Sequence, residues 1–280
     1  MAAQAGILQN SRLKAMVIPR EHGAWGLLMV PLVTGAVVAA RSGVNLGALG
    51  QFMVAALSLF WLRTPAEAWL GASAIKAQSP QERSAVAGFS VAIAVVAIAA
   101  VTALFYAGYS RGLVTIGAVA GLAFAIQAAV KKLGRIGRMP AQVIGAVGLT
   151  STAAGAYYVA TGKLDQIAIA LWLANWLFAG DQIHFVQLRI HSSRATTVDE
   201  KLQHGYAFLA GQIVLLAVVV AFCIVGLFPK FAWLAFVPVL FRGTVWFLRG
   251  RQPLDVHKLG FAELTQAVIF GALLCTAFLL

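Results

Sequence analysis

An all-α, polytopic membrane protein is the fold class this sequence predicts, and three observations carry the prediction. Of 280 residues, 61% are apolar and 11% are charged, against about 45–50% and about 25% in soluble globular chains. Apolar runs of bilayer-spanning length, about 20 residues, recur from one end of the chain to the other. The basic residues lie in the short connections between those runs. The net charge of +12 would need one continuous patch to imply a nucleic-acid partner, and scattered loop cations are the pattern of membrane proteins instead. High hydrophobicity excludes a disordered chain. The two cysteines, Cys223 and Cys275, sit inside apolar runs and read as small core residues, not as a disulfide frame.

Taken in order, nine spans are expected, at roughly 23–40, 46–62, 85–107, 112–130, 140–161, 165–187, 206–228, 231–248 and 259–280. Residues 1–18 read as a cytoplasmic lead and 19–280 as one transmembrane helical domain. The first run is long for a signal-peptide core and more spans follow it, so it reads as a retained helix. Two connections are longer than the rest, at 63–84 and 188–205, and each has room for a short interfacial helix. With nine spans the termini face opposite sides. The side of the N-terminus then holds 17 of the 21 Lys and Arg residues, and the other side holds Arg41, Arg111, Lys163 and Lys230. That asymmetry places the N-terminus in the cytoplasm and the C-terminus outside a bacterial-type plasma (inner) membrane. Small residues such as Gly117 with Gly121 and Gly145 with Gly148 let helix backbones approach, and they read as packing.

Polar groups in hydrocarbon are costly, so they mark candidate sites. Pro19-Arg20-Glu21-His22-Gly23-Ala24-Trp25 opens the first span. Glu21 suits a positive helix N-terminus; the segment reads as an interfacial anchor or, through Glu21 and His22, as part of a site. Trp61-Leu62-Arg63-Thr64-Pro65-Ala66-Glu67 ends the second span. Arg63 marks the cytoplasmic boundary or holds an anionic head group, and Pro65 is expected to break or kink the helix. The sixth span is the richest. Asp181, His184, Gln187 and His191 fall within about 120° of one another, and Asn175, Gln182 and Arg189 form a second stripe roughly opposite. A helix polar on two faces belongs inside the bundle, lining a cavity or exchanging interhelical hydrogen bonds. His184 and His191 stand about 10 Å apart along the axis, too far to share one ion unaided. Glu263, inside the last span, wants a partner, and Arg242 or Arg249 is the expected one.

The segment Pro19-Arg20-Glu21-His22-Gly23-Ala24-Trp25-Gly26-Leu27-Leu28-Met29-Val30-Pro31 resembles the opening of the YwiC-like membrane proteins, and that resemblance covers most of the chain. Nine spans with long cytoplasmic loops after the second and sixth resemble, in plan, the UbiA-type intramembrane prenyltransferases. There, acidic motifs ending those two spans bind Mg²⁺, which holds the diphosphate of a polyprenyl donor. Here an Asn-Asp-x-x-Asp pattern is absent from 60–70, where Glu67 is the sole carboxylate. Asp181 matches one acidic position of the second motif and Gln187 a polar one, while His184, Arg189 and His191 stand where further carboxylates belong. Two Mg²⁺ ions need more hard oxygen ligands than this; the cationic side chains can meet a phosphate directly. The resemblance thus implies Asp181, His184 and Glu67 as candidate catalytic residues. Glu21, His22, Arg63, Asn175, Gln187, Arg189 and His191 are the candidate substrate-binding residues, with no metal ligand assigned.

Three functions compete. One is an intramembrane enzyme or binder of an isoprenoid- or quinone-like lipid, in a cavity open to the cytoplasm. A transporter is the second, and the outer half of the bundle, nearly free of polar groups, speaks against it. The third is a non-catalytic subunit or scaffold, whose protein partners the sequence does not name. Membrane lipids are the expected surroundings, nucleic acid is not an expected partner, and no cofactor is assigned, Mg²⁺ being the one candidate and the ligand count speaking against it.

Overall fold

The computed structural model describes residues 12–19, 22–71, 75–134, 136–193, 195, 197–250 and 254–280, and of His22 the backbone alone. Glu21 therefore lies outside the described residues, as does the side chain of His22. Every regular element among the described residues is helical, and the longer helices are α1 His22–Ala39, α2 Leu46–Trp69, α3 Pro80–Leu104, α4 Ser110–Lys131, α5 Arg138–Thr150, α6 Thr152–Thr161, α7 Gln166–His191, α8 Val198–Ile224, α9 Val237–Leu248 and α10 Val256–Leu279. The protein is an all-α membrane protein.

Six helical stretches among the described residues are long and apolar enough to cross a membrane. One of them, Pro80–Lys131, is 52 residues long, about 78 Å at helical rise, enough for two crossings. It is interrupted by the π-helical turn Phe105–Tyr109, where Gly108 takes φ +92°, a conformation glycine alone adopts freely. Two expected spans fall outside the six. α7 carries too many polar groups, and Ala232–Leu248 is shorter than a span.

The chain divides into two compact units, residues 1–22 with 45–110, and residues 23–44 with 111–280. In the first, α2 and α3 pack as a helical hairpin. Asn45 caps α2 by accepting from the Ala48 amide at 3.1 Å. Pro80 opens α3 behind a capping box in which the Ser79 hydroxyl and the Glu82 carboxylate each accept from the other's backbone N–H. Met16 is buried against Ala68, Ala77 and Val86, and the Trp61 indole donates to the Val17 carbonyl at 2.8 Å.

The two long connections are shorter than expected. α2 continues through Pro65 to Trp69, because a proline removes a single backbone bond and leaves the rest of the ladder intact. α3 and α8 begin inside the polar stretches, at their capping boxes Ser79/Glu82 and Thr197/Glu200. Acidic residues in a first helical turn favour the helix they start, so charge that reads as loop becomes helix N-terminus.

The second unit is built around α7. Asp165 caps it by accepting from the Ile167 and Ala168 amides at 3.0 and 3.2 Å. Phe178 stacks on Phe270 of α10 with centroids 4.1 Å apart. A second cluster joins Phe185 and Leu188 of α7 to Phe208 of α8 and to Trp246 and Phe247 of α9. Close helix approach at this cluster depends on Gly205, where a Cβ would stand 2.5 Å from the Phe247 ring.

Candidate functional site

Both polar stripes of α7 are used, and both reach α9 and α10. On one stripe, the Asn175 amide donates to the Thr34 hydroxyl of α1 at 3.1 Å and to the Leu171 carbonyl at 2.8 Å. Gln182 donates to the Glu263 carbonyl of α10 at 2.8 Å. The Arg189 guanidinium lies 5.8 Å from the Trp246 ring centroid. These residues tie α7 to α1, α9 and α10.

The other stripe carries a buried charge cluster. Asp181 is 7% exposed and Glu263 is 5% exposed. Arg242 of α9 donates from Nη2 to Asp181 Oδ2 at 2.6 Å and from Nη1 to Glu263 Oε2. Gln212 of α8 donates to the other oxygen of Asp181. The guanidinium carbon lies 4.0 Å from the Phe185 ring centroid, so one face of the ion is covered by an aromatic ring. Four helices thus meet at one fork. Desolvated charges are tolerated only when paired and hydrogen-bonded. Of the two partners expected for Glu263, the fold selects Arg242.

A cavity of about 240 Å³ adjoins this cluster, lined by Val143 of α5, by Trp176, Gly180, Asp181 and His184 of α7, and by Gln212, Val214 and Val218 of α8. His184 meets Phe208 edge to face at a centroid distance of 5.2 Å. Gly211, whose Cβ would stand 3.5 Å from His184 Nδ1, leaves the imidazole room beside α8. Val214 is 60% exposed, so the apolar wall of the cavity reaches the lateral surface of the unit.

The remaining expected site residues are placed elsewhere. Gln187 donates to Gln142 of α5 at 3.0 Å. His191 Nδ1 lies 2.7 Å from the carbonyl of Gln187 on its own helix. Arg63 and Glu67 belong to the first unit and pair with each other at 2.9 Å on a partly exposed helix face. Asp181 and His184 are the two candidates that share the cavity. Gln212 belongs to the site but not to the residues picked from sequence, and Arg242, expected only as a partner of Glu263, serves Asp181 as well. Each is a lone strongly polar residue inside an apolar run, the signal that singled out Glu263.

Mg²⁺ does not fit this arrangement. It takes near-octahedral oxygens, yet both Asp181 oxygens and one Glu263 oxygen already accept from Gln212 and Arg242. A guanidinium stands between the carboxyl groups where a cation would bind. Among the described residues, no three His, Cys, Asp or Glu side chains gather in a way that would hold a metal ion.

The sequence model of the YwiC-like proteins matches residues 18–158, half of the chain, beginning at the Pro19–Pro31 segment. No curated protein matches the chain. An all-α membrane protein whose N-terminal half carries that match from α1 into α6, the chain belongs to the YwiC-like protein family.

Proposed function

We propose that the second unit binds an amphiphilic lipid of the isoprenoid- or quinone-like class. Its head lies in the cavity at Asp181, His184 and Gln212, and its tail runs along Val214 and Val218 toward the bilayer. The observation that carries this reading is the cavity itself, with polar groups at one end and an apolar wall exposed at the other. A volume of about 240 Å³ suits one ring-sized head group, since cavities for whole drug-sized ligands run to about 300–1,000 Å³. The charge around it favours a neutral head. The cavity presents the Asp181 carboxylate, already paired with Arg242, so a diphosphate would meet an anionic oxygen instead of a free donor. Carbonyl and hydroxyl heads find the Gln212 amide and the His184 imidazole.

Titrating the protein in nanodiscs with a short-tailed quinone, a short polyprenol and a short prenyl diphosphate tests this, with fluorescence of the cavity residue Trp176 as the readout. Saturable quenching by the quinone is expected, weakened by about tenfold in Gly180→Leu, which fills the cavity. Quenching that rises without saturation and is the same in Gly180→Leu overturns the reading. Saturation by the diphosphate alone reverses the assignment of the head.

The orientation belongs to the same proposal. Nine crossings with the N-terminus cytoplasmic put the Asp181 half of α7 on the inner side of the plasma membrane, supported by the 17 cations on that side. Reporter fusions at the two ends report opposite compartments if this holds, and the same compartment if it does not.

A further inference from the structure

The hydrogen bonds of the charge cluster do not balance. Asp181 is satisfied at both oxygens, by Gln212 and by Arg242. Glu263 is not: its Oε2 accepts from Arg242, but its Oε1 is buried with no partner. On the same helix, three residues further, Gln266 Oε1 is also buried with no partner. Residues three apart lie on one face of a helix within side-chain reach of each other. Leaving a buried acceptor unmade is expensive. A single proton on Glu263 Oε1 turns that atom into a donor, and Gln266 Oε1 is the acceptor one helical turn away.

We propose that the Asp181–Arg242–Glu263 cluster is a proton-binding site. Its resting form carries one proton on Glu263 Oε1, donated to Gln266 Oε1, while Asp181 is the carboxylate that balances Arg242. The groups that face the cluster are consistent with this. α7 presents Asp181, His184 and, beyond Phe185, Arg189; α8 presents the uncharged Gln212; α9 presents Arg242 and α10 presents Glu263. Arg189 adds a positive charge toward Glu263, but no guanidinium nitrogen reaches Oε1. With Glu263 neutral, the fork holds one cation and one anion. A burial this deep tolerates such a pair better than an excess charge. The cluster touches the cavity through Asp181, so the charge state of the fork is felt at the cavity wall. This holds whichever ligand the cavity takes, and its test uses no ligand.

Infrared difference spectroscopy of the protein in nanodiscs at neutral pH is the measurement. The wild type is expected to show the carbonyl stretch of a protonated carboxyl group, and Glu263→Gln, a neutral mimic of the acid, is expected to fold, to melt like the wild type and to lose that band. Gln266→Leu keeps the carboxyl but removes its acceptor, and the band is expected to move to higher frequency. A wild type with no such band, or a band unchanged in Glu263→Gln, overturns the proposal. Should Glu263→Gln fail to fold, Gln266→Leu decides alone: a shifted band supports the proposal and an unshifted one overturns it.

Discussion

Arg242 Nη2 lies 2.6 Å from Asp181 Oδ2, joining α9 to α7 through a guanidinium whose side chain is 11% exposed and a carboxylate whose side chain is 1% exposed. The same guanidinium reaches Glu263 of α10. Removing it strands two carboxyl groups in a desolvated place. Arg242→Met is expected to lower stability by about 3–5 kcal/mol, the usual cost of breaking a buried pair from one side. Arg242→Lys recovers only part of that, because a single ammonium lacks the fork that serves two helices at once. Thermal unfolding in nanodiscs checks the order wild type, Lys, Met.

Asn175 pins α7 to α1 more gently. Its amide donates to Thr34 Oγ1 at 3.1 Å, and interhelical bonds of this kind average about 0.6 kcal/mol in membranes, reaching about 1.7. A double-mutant cycle of Asn175→Val with Thr34→Val is expected to give a coupling within that range. Zero coupling would mean that the Leu171 carbonyl, which also accepts from Asn175 at 2.8 Å, is the partner that matters.

Much of this unit is legible in the sequence, and the reason is local. Two polar stripes on α7 follow from helical periodicity alone, and so does the conclusion that neither faces lipid. Glu263 announces itself as a carboxylate in an apolar run. What periodicity cannot supply is which helices meet. Nothing in the spacing of Asp181 points to Gln212 or to Arg242, far along the chain on α8 and α9. The expected loops at 63–84 and 188–205 fail for the opposite reason. Ser79 and Thr197 are sequence-visible caps, but a capped helix beginning in charged residues looks like loop when composition alone is weighed.

Lys201 is a charge that the α9 C-terminus explains. It is 2% exposed, and its ammonium donates to the carbonyls of Trp246 and Gly250 at 3.2 Å each and to that of Arg249. Those carbonyls end or follow the last turn of α9, where the helix dipole is negative. The Trp246 ring centroid lies 5.0 Å from the same nitrogen. Lys201→Met keeps the stem and loses the donors, and a cost of about 1–3 kcal/mol is expected from the carbonyls left unpaired. Hydrogen exchange at the end of α9 is expected to rise with it; unchanged exchange would show that other donors replace the ammonium.

One pH dependence follows from the start of α10. Asp255 caps that helix by accepting from the Lys258 amide at 3.1 Å, and this bond holds its carboxyl below the usual aspartate range. A carboxyl depressed in the folded state stabilises above its unfolded value, and that contribution fades as pH falls through the folded one. Fraying of the first turn of α10 is therefore expected below about pH 4, read as faster amide exchange at Val256–Leu259. Asp255→Ala should exchange fast at every pH, with that acid-dependent step abolished.

Two glycines of α8 give opposite expectations from the same chemical change. A Cβ at Gly205 would stand 2.5 Å from Phe247 Cζ and 3.4 Å from Leu188 Cδ1, inside the aromatic cluster that joins α7, α8 and α9. Gly205→Ala must push the Phe247 ring aside, and overpacking of that size costs about 1–3 kcal/mol. A Cβ at Gly211 meets only the His184 ring, at 3.5 Å, an ordinary contact. Gly211→Ala is therefore expected to leave stability unchanged within about 0.5 kcal/mol while narrowing the space beside the imidazole. Unfolding of the two variants side by side separates the packed end of α8 from its cavity end. Equal losses would mean that the His184 side of the helix is as tightly filled as the Phe247 side.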